Sequence, residues 1–414
     1  MILKSKVFKN FVSLSFAELT GKLFGFIALA YLARVISPHS FGIIAFSTAF
    51  VSYFLLFVEL GFDVISVKKI ANDRSIISKY VNNVVSVKLI NALLLFALLV
   101  AVTFLLEKST LLKVCIIIYG FMLFVQAGTL DFLFQGIEKF KYISLNIIGK
   151  SAFYLLLVML FVKDDLDTYK VLVFMVISAM VFKGWQFYVY MKHYGKFKFE
   201  IDKQFVKKLF NESYPLLISV LMATIYGNLD LVMLGFMKTN YEVGIYNASY
   251  KIFLIAILPF GIVLKIYLPM LSRLKNTSQF KKDLRAFTVF MILIGLIISI
   301  PLFLFSGKII ELVFGAQYLA ADLSLKILLA NGMIVCMSIV FGNPLTVWGK
   351  QKYHAMVLSL GAITNIVLNV LLIPAYSYNG AALATLLSEL AVFIGVTIIF
   401  VKSIKPLYSK AVTI

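Results

Sequence analysis

The chain has 414 residues, 62% hydrophobic and only 14% charged, whereas an ordinary soluble domain is about half apolar and a quarter charged. No water-soluble fold has enough interior to hide that much apolar surface. The net charge of +20 would suit a nucleic-acid binder, but the basic residues sit mostly in short segments between apolar runs, so they report topology and no nucleic-acid partner is expected.

Crossing the hydrocarbon core takes about 20 apolar residues, and only helices or closed barrels can do it without stranding backbone polar groups. The apolar runs lack the two-residue alternation of barrel strands. The sequence therefore predicts an all-α integral membrane protein with about 12 transmembrane helices, at 11–33, 41–65, 80–105, 111–135, 143–162, 168–191, 212–236, 244–268, 287–305, 324–346, 354–374 and 379–401. The first run follows Lys4, Lys6 and Lys9 and contains Ala28-Leu29-Ala30, as a cleaved signal would. It is too long for that and holds Glu18 and Lys22, so it reads as a permanent helix. Cys115 and Cys336 lie inside apolar runs with no metal-ligand spacing around them; neither a disulfide, a metal nor a cofactor is expected.

With these boundaries the N-terminus, the even-numbered loops and the C-terminal tail hold 25 of the 39 Lys and Arg. By the positive-inside rule both termini are cytoplasmic. The longest connection, 192–211, carries six lysines, Lys192, Lys196, Lys198, Lys203, Lys207 and Lys208. It reads as a linker lying along the anionic inner leaflet between two six-helix lobes, residues 1–200 and 201–414. An internal echo supports the division: Phe41-Gly42-Ile43-Ile44-Ala45-Phe46-Ser47 opens the second span and Val243-Gly244-Ile245-Tyr246-Asn247-Ala248-Ser249 the eighth. Six crossings bring both copies in from the same side, so the lobes are parallel repeats, an arrangement expected to leave a central cavity. Every loop is short, which disfavours an enzyme with a large extracytoplasmic active site. Asp165-Leu166-Asp167 spells a metal-binding pattern of some glycosyltransferases, but in so short a loop it reads as an acidic turn.

An ionisable residue at mid-membrane costs about 2.5–3.5 kcal/mol and needs a partner, water or a ligand. Lys183, Lys265 and Lys326 lie near span ends, where snorkelling suffices. Ser15, Glu18, Lys22 and Gly25 draw one stripe down the first span, and Glu18 stands four residues before Lys22, the favourable order for a self-neutralised pair. Lys88 with Asn91, Asn146 with Lys150 and Tyr154, and Asn247 with Lys251 form similar seams. Lys22, Lys88, Lys150 and Lys251 outnumber carboxylates on their own helices, which points to an anionic cargo. Acids within spans include Glu18, Glu59, Asp63, Asp131, Asp230 and Glu389. Asp230, in a polar stretch with Thr224 and Asn228, is the first candidate for ion coupling, with Glu18 and Glu389 behind it. Asn365 and Asn369 share a face and read as helix–helix glue.

Four stretches then carry a resemblance. They are Leu32-Ala33-Arg34 through Phe41-Gly42-Ile43; Asp131-Phe132-Leu133-Phe134-Gln135-Gly136-Ile137-Glu138-Lys139-Phe140; Ala223-Thr224-Ile225-Tyr226-Gly227-Asn228-Leu229-Asp230 leading to Val243-Gly244-Ile245-Tyr246; and Leu371-Leu372-Ile373-Pro374 before Gly380-Ala381-Ala382-Leu383-Ala384-Thr385 and Ser388-Glu389. In order and spacing the chain resembles the O-antigen repeat-unit flippases known as Wzx, within the MOP (MATE-like) superfamily. The resemblance implies two six-helix lobes around a cationic cavity. The implied activity is translocation of undecaprenyl-pyrophosphate-linked oligosaccharide across the bacterial cytoplasmic membrane by alternating access, coupled to proton or sodium antiport. The implied partners are the lipid bilayer, a polysaccharide polymerase and chain-length proteins. The alternatives are a MATE-like drug/cation antiporter, which wants an acidic cavity, a lipid II flippase, which usually has more spans, and a membrane polysaccharide polymerase, which wants a long outer loop.

Overall fold

The computed structural model describes residues 2–273 and 278–409; Lys275 and Lys410, both counted in the charge asymmetry, lie outside them. Among the described residues all regular structure is helical: α1 (Ile2–Val35), α2 (Pro38–Glu59), α3 (Phe62–Asn72), α4 (Ile77–Leu105), α5 (Thr110–Gly120), α6 (Met122–Ala127), α7 (Asp131–Gly136), α8 (Phe140–Phe161), α9 (Thr168–His193), α10 (Lys203–Met237), α11 (Asn240–Arg273), α12 (Ser278–Leu304), α13 (Ser306–Phe314), α14 (Asp322–Val347) and α15 (Gln351–Ser409). Ten stretches of the described residues are long and apolar enough to cross a membrane. One of them, Gln351–Ser403, is far too long for a single crossing at about 1.5 Å per residue. It breaks at Ser377, whose φ is 53°, and so makes two. The protein is a multi-pass, all-α membrane protein.

The chain separates into two compact units, Met1–Thr224 and Ile225–Ile414. In the first, α1 packs along α8, where a Cβ on Gly21 would stand 2.7 Å from Ile147. Local chemistry sets the helix starts. Ser37 accepts from the Ser40 amide ahead of α2, with Pro38 in the first turn, and the Ser109 hydroxyl accepts from the Leu112 amide ahead of α5. Such caps satisfy amides that a helix leaves open.

The second apolar run is broken near its basic end. Leu60 and Gly61 both adopt left-handed backbone, φ 53° and 70°, which ends α2 and starts α3. The fourth run breaks at residues 128–130, between α6 and α7. The two short helices below these breaks, α3 and α7, pack on each other, and a Cβ on Gly136 would lie 2.9 Å from Ile70. Phe62, Ile70, Phe132, Leu133 and Phe134 join Val81, Val84, Val85 and Tyr190 in one buried cluster.

The basic connection is tied to α4. Residues 195–202 between α9 and α10 have no regular structure, and the amides of Lys198, Glu200 and Asp202 donate to Asn82 Oδ1, Ser86 Oγ and Asn83 Oδ1 of α4 at 3.0, 3.0 and 2.6 Å. Three alternate residues therefore share one docking face. Asp202 pairs with Lys79 at 3.1 Å and accepts from the Phe205 amide at 3.0 Å, capping α10. The DxD turn is likewise occupied structurally: Asp165 Oδ1 accepts from the Ser37 amide and hydroxyl at 2.8 and 2.9 Å.

In the second unit α11, α12, α14 and α15 pack together around a cluster that includes Phe260, Phe287, Cys336, Trp348, Val392 and Val396. The two arms of α15 turn back on each other so closely at Ser377 that a Cβ on Gly380 would be 2.3 Å from the Leu372 carbonyl oxygen. Lys238 Nζ donates to the Pro374 carbonyl beside this turn at 3.0 Å.

Candidate functional site

The first unit carries a band of charged and amide side chains from α2, α3, α4, α6, α7, α8 and α9. Lys88, fully buried on α4, is ion-paired with Asp63 of α3, and its ammonium lies 5.7 Å from the centre of the Phe132 ring of α7. Glu59, the last residue of α2, accepts from the Gln126 side-chain amide. Asp131, the first residue of α7, pairs with Lys183 of α9 and accepts from Gln186 Nε2 at 3.0 Å. Gln186 in turn accepts from Asn146 Nδ2 at 3.4 Å. The depth-based reading of Lys183 as a snorkelling residue is thus corrected: the break before α7 turns Asp131 towards α9, and the ammonium meets a carboxylate.

Lys150 lies one turn beyond Asn146 on the same face of α8. It is half-buried and has no ion-pair partner among the described residues, although Lys183 and Asp131 are within electrostatic range. Its neighbour Asn146 is buried with its Oδ1 unsatisfied. Glu18 and Lys22 are exposed on α1. They form no ion pair among the described residues, so the self-neutralised pair suggested by their spacing is absent.

The second unit holds a different arrangement around one carboxylate. Asp230 on α10 is buried, with 7% of its surface exposed, and four side chains donate to it. The Tyr246 hydroxyl of α11 reaches Oδ2 at 2.6 Å, Thr385 of α15 donates to the same oxygen, and Asn369 and Asn365 of α15 reach Oδ1 at 2.7 and 3.3 Å. Asn369 also donates to Asn365 Oδ1 at 3.0 Å, and Asn365 to Ser388 Oγ at 3.4 Å. Buried polar groups are tolerated when so satisfied, and hydrogen bonds to a carboxylate are stronger than neutral ones. The ring of Tyr250 stacks on Tyr246 with centroids 5.7 Å apart, and its hydroxyl donates to the Gly227 carbonyl at 2.8 Å. Glu389 is buried beside Ser388.

Every side chain in this cage can present an oxygen: Asp230, Asn365, Asn369, Thr385 and Tyr246. Oxygen-only sets suit hard cations as well as a proton. The Asn369 Oδ1 atom has no partner, so rotating that amide would offer an oxygen where it now offers a donor. Lys251, on α11 one turn from Asn247, is half-buried and has no partner among the described residues. Of these groups, sequence reading singles out Asp230 and Lys251 but treats Asn365 and Asn369 as glue and overlooks Tyr246 and Thr385. The one available signal is the i, i+4 spacing of the two asparagines opposite an acid elsewhere in the chain.

The chain's matches to known proteins agree with this architecture. A family model described as polysaccharide biosynthesis protein matches residues 7–275, more than half of the chain. Similar sequences include a Shigella dysenteriae protein described as an O-antigen transporter, 25% identical over 398 residues that cover 93% of this chain and 97% of that one. The Staphylococcus aureus capsular polysaccharide biosynthesis protein CapF is 24% identical, covering 93% and 97%. Among solved structures, the lipid II flippase MurJ in an inward closed conformation matches with a TM-score of 0.74 at 15% identity, covering 96% of this chain and 91% of that one. An inward-facing MATE transporter of the MOP superfamily matches at 0.73 and 12% identity, covering 95% and 96%. At such identities the structural likeness establishes the fold.

Proposed function

Because this chain belongs to the polysaccharide biosynthesis protein family, we propose that it is a flippase for undecaprenyl-pyrophosphate-linked oligosaccharide, working by alternating access in the bacterial cytoplasmic membrane with both termini in the cytoplasm. The observation that carries the reading is the pair of half-buried lysines without carboxylate partners, Lys150 and Lys251. An unpaired ammonium at membrane depth costs a few kcal/mol, and a phosphate-bearing headgroup offsets that cost while it is bound. Lys22, exposed on α1, extends the same cationic character, and Lys88 joins it when its pair with Asp63 opens. The polyprenyl tail stays in lipid while the sugars and pyrophosphate take the polar route. Relatives named as O-antigen transporter and glycan flippase support the cargo class and a non-enzymatic role.

Asp230 is the proposed coupling group, exchanging a proton or sodium ion, with Glu389 beside Ser388 and Glu18 as lesser contributors. Its cage satisfies the carboxylate with donors in the described conformation, and a bound cation would take their place by rotation of the amides and hydroxyls. A polysaccharide polymerase and chain-length proteins, which would receive the cargo at the outer face, are the proposed partners. A drug/cation antiporter is disfavoured by the sign of the charge: Lys150 and Lys251, half-buried and without ion-pair partners among the described residues, are ammoniums.

The test is transport of a fluorescent polyprenyl-pyrophosphate oligosaccharide into proteoliposomes by the wild type, Lys150→Met and Lys251→Met. Both variants should insert normally and lose most of the transport. Undiminished transport by both would remove the cationic route and the reading with it.

A further inference from the structure

We propose that α3 and α7 form one hinged element at the lysine-rich end of the first unit, moving together and held in place by side-chain latches. Both helices are short and bounded by backbone breaks at each end. For α3 the breaks are the left-handed Leu60 and Gly61 before it and the extended Asp73, φ −144°, after it. For α7 they are residues 128–130 before it and Glu138, φ 59°, after it. Hinges are a few element-terminal residues that absorb a backbone rotation, and these two short helices have such residues on both sides.

The pairing of the two helices is intimate. Gly136 of α7 meets Ile70 so closely that a Cβ would lie 2.9 Å from its Cγ2 and 3.2 Å from the Val67 carbonyl oxygen. Phe62 and Ile70 of α3 and Phe132 and Phe134 of α7 are each at most 1% exposed. Interfaces packed this tightly shift as rigid bodies instead of deforming.

Polar latches tie the pair to its surroundings at separate points. Asp63 of α3 binds Lys88 of α4, and Asp131 of α7 binds Lys183 and Gln186 of α9. Lys69 of α3 pairs with Glu212 of α10 at 3.2 Å, and Ser213 Oγ donates to the Leu60 carbonyl at the hinge itself, at 2.9 Å. Lys88 touches both members, since it pairs with Asp63 and also lies over Phe132. Each latch can open without breaking the α3–α7 packing, which is what a movable element requires.

The experiment is amide hydrogen exchange on the full-length protein in detergent, read separately at 62–72 and 131–137. Lys183→Met removes the ion pair that holds α7, and Lys183 itself lies on α9. If the helices are one element, exchange should quicken about tenfold in both segments. Because that variant can also disturb folding, Lys69→Gln serves as its converse: it cuts a half-exposed pair on α3 and should quicken α7 as well as α3 by about threefold. In both cases α14 should exchange as in the wild type. Quickening confined to the helix that lost its own latch, or no quickening in either, overturns the proposal.

Discussion

Asn369 on α15 donates its side-chain amide to the Asp230 carboxylate on α10 at 2.7 Å, across 139 positions of sequence. Three further donors, Asn365, Thr385 and Tyr246, complete the cage. Hydrogen bonds to a charged group contribute about 1.5–3 kcal/mol each, so this carboxylate is held in place by more than packing.

Replacing Asp230 with Asn should therefore preserve insertion and abolish the dependence of transport on an imposed proton or sodium gradient. Asn369→Ala removes a donor that stabilises the ion-free carboxylate and should tighten apparent proton binding roughly tenfold. Transport by proteoliposomes under each gradient separately is the measurement. A gradient response in Asp230→Asn equal to wild type would take that residue out of the coupling role.

The lysines should divide by their partners. Lys88→Met strands Asp63, whose side chain is about a quarter exposed, and should lower stability by about 3 kcal/mol, the low end for breaking a buried pair. The double variant Lys88→Met with Asp63→Leu should recover most of that loss. Lys150→Met strands no carboxylate and should leave the thermal transition within about 1 kcal/mol of wild type while still losing transport. Thermal unfolding in detergent distinguishes the three.

At the basic connection, the Phe205 amide and the Lys79 ammonium hold the Asp202 carboxyl below the usual carboxylate range. A native pKa below the unfolded value means that the contribution is complete above about pH 4, the ordinary aspartate value, and is lost as pH falls through the lower native one. Protection of the amides of Lys198, Glu200 and Asp202, corrected for intrinsic exchange, should stay flat from pH 8 to pH 5. Asp202→Ala should remove the ion pair and the cap together and quicken exchange there about threefold at neutral pH.

Two glycines should respond oppositely to alanine. At Gly380 the new methyl group meets the Leu372 carbonyl oxygen, a backbone atom that cannot swing aside, and a loss of roughly 1–3 kcal/mol is expected. At Gly184, in α9, nothing lies within 4 Å of the added carbon, and the better helix propensity of alanine should stabilise by up to about 1 kcal/mol. Thermal unfolding of the two variants checks both signs.

The amino-acid sequence determined on its own that this is a membrane protein, that its spans are helices, where most of them run, and that Asp230 and Lys251 deserve notice. Those properties follow from local length, hydropathy and the cost of charge in hydrocarbon, all of which can be read along the chain. The breaks that split the second and fourth runs into α2–α3 and α6–α7 did not show, because Gly61 and Gly128 sit in runs whose hydropathy continues on both sides. Which lysines are paired was decided only in three dimensions. Lys183 and Asp131 are 52 positions apart, and Thr385 stands 155 from Asp230. A charge or amide carries no sign in sequence of what it will meet, since its partner is chosen by how whole helices cross, and that depends on packing along their full length.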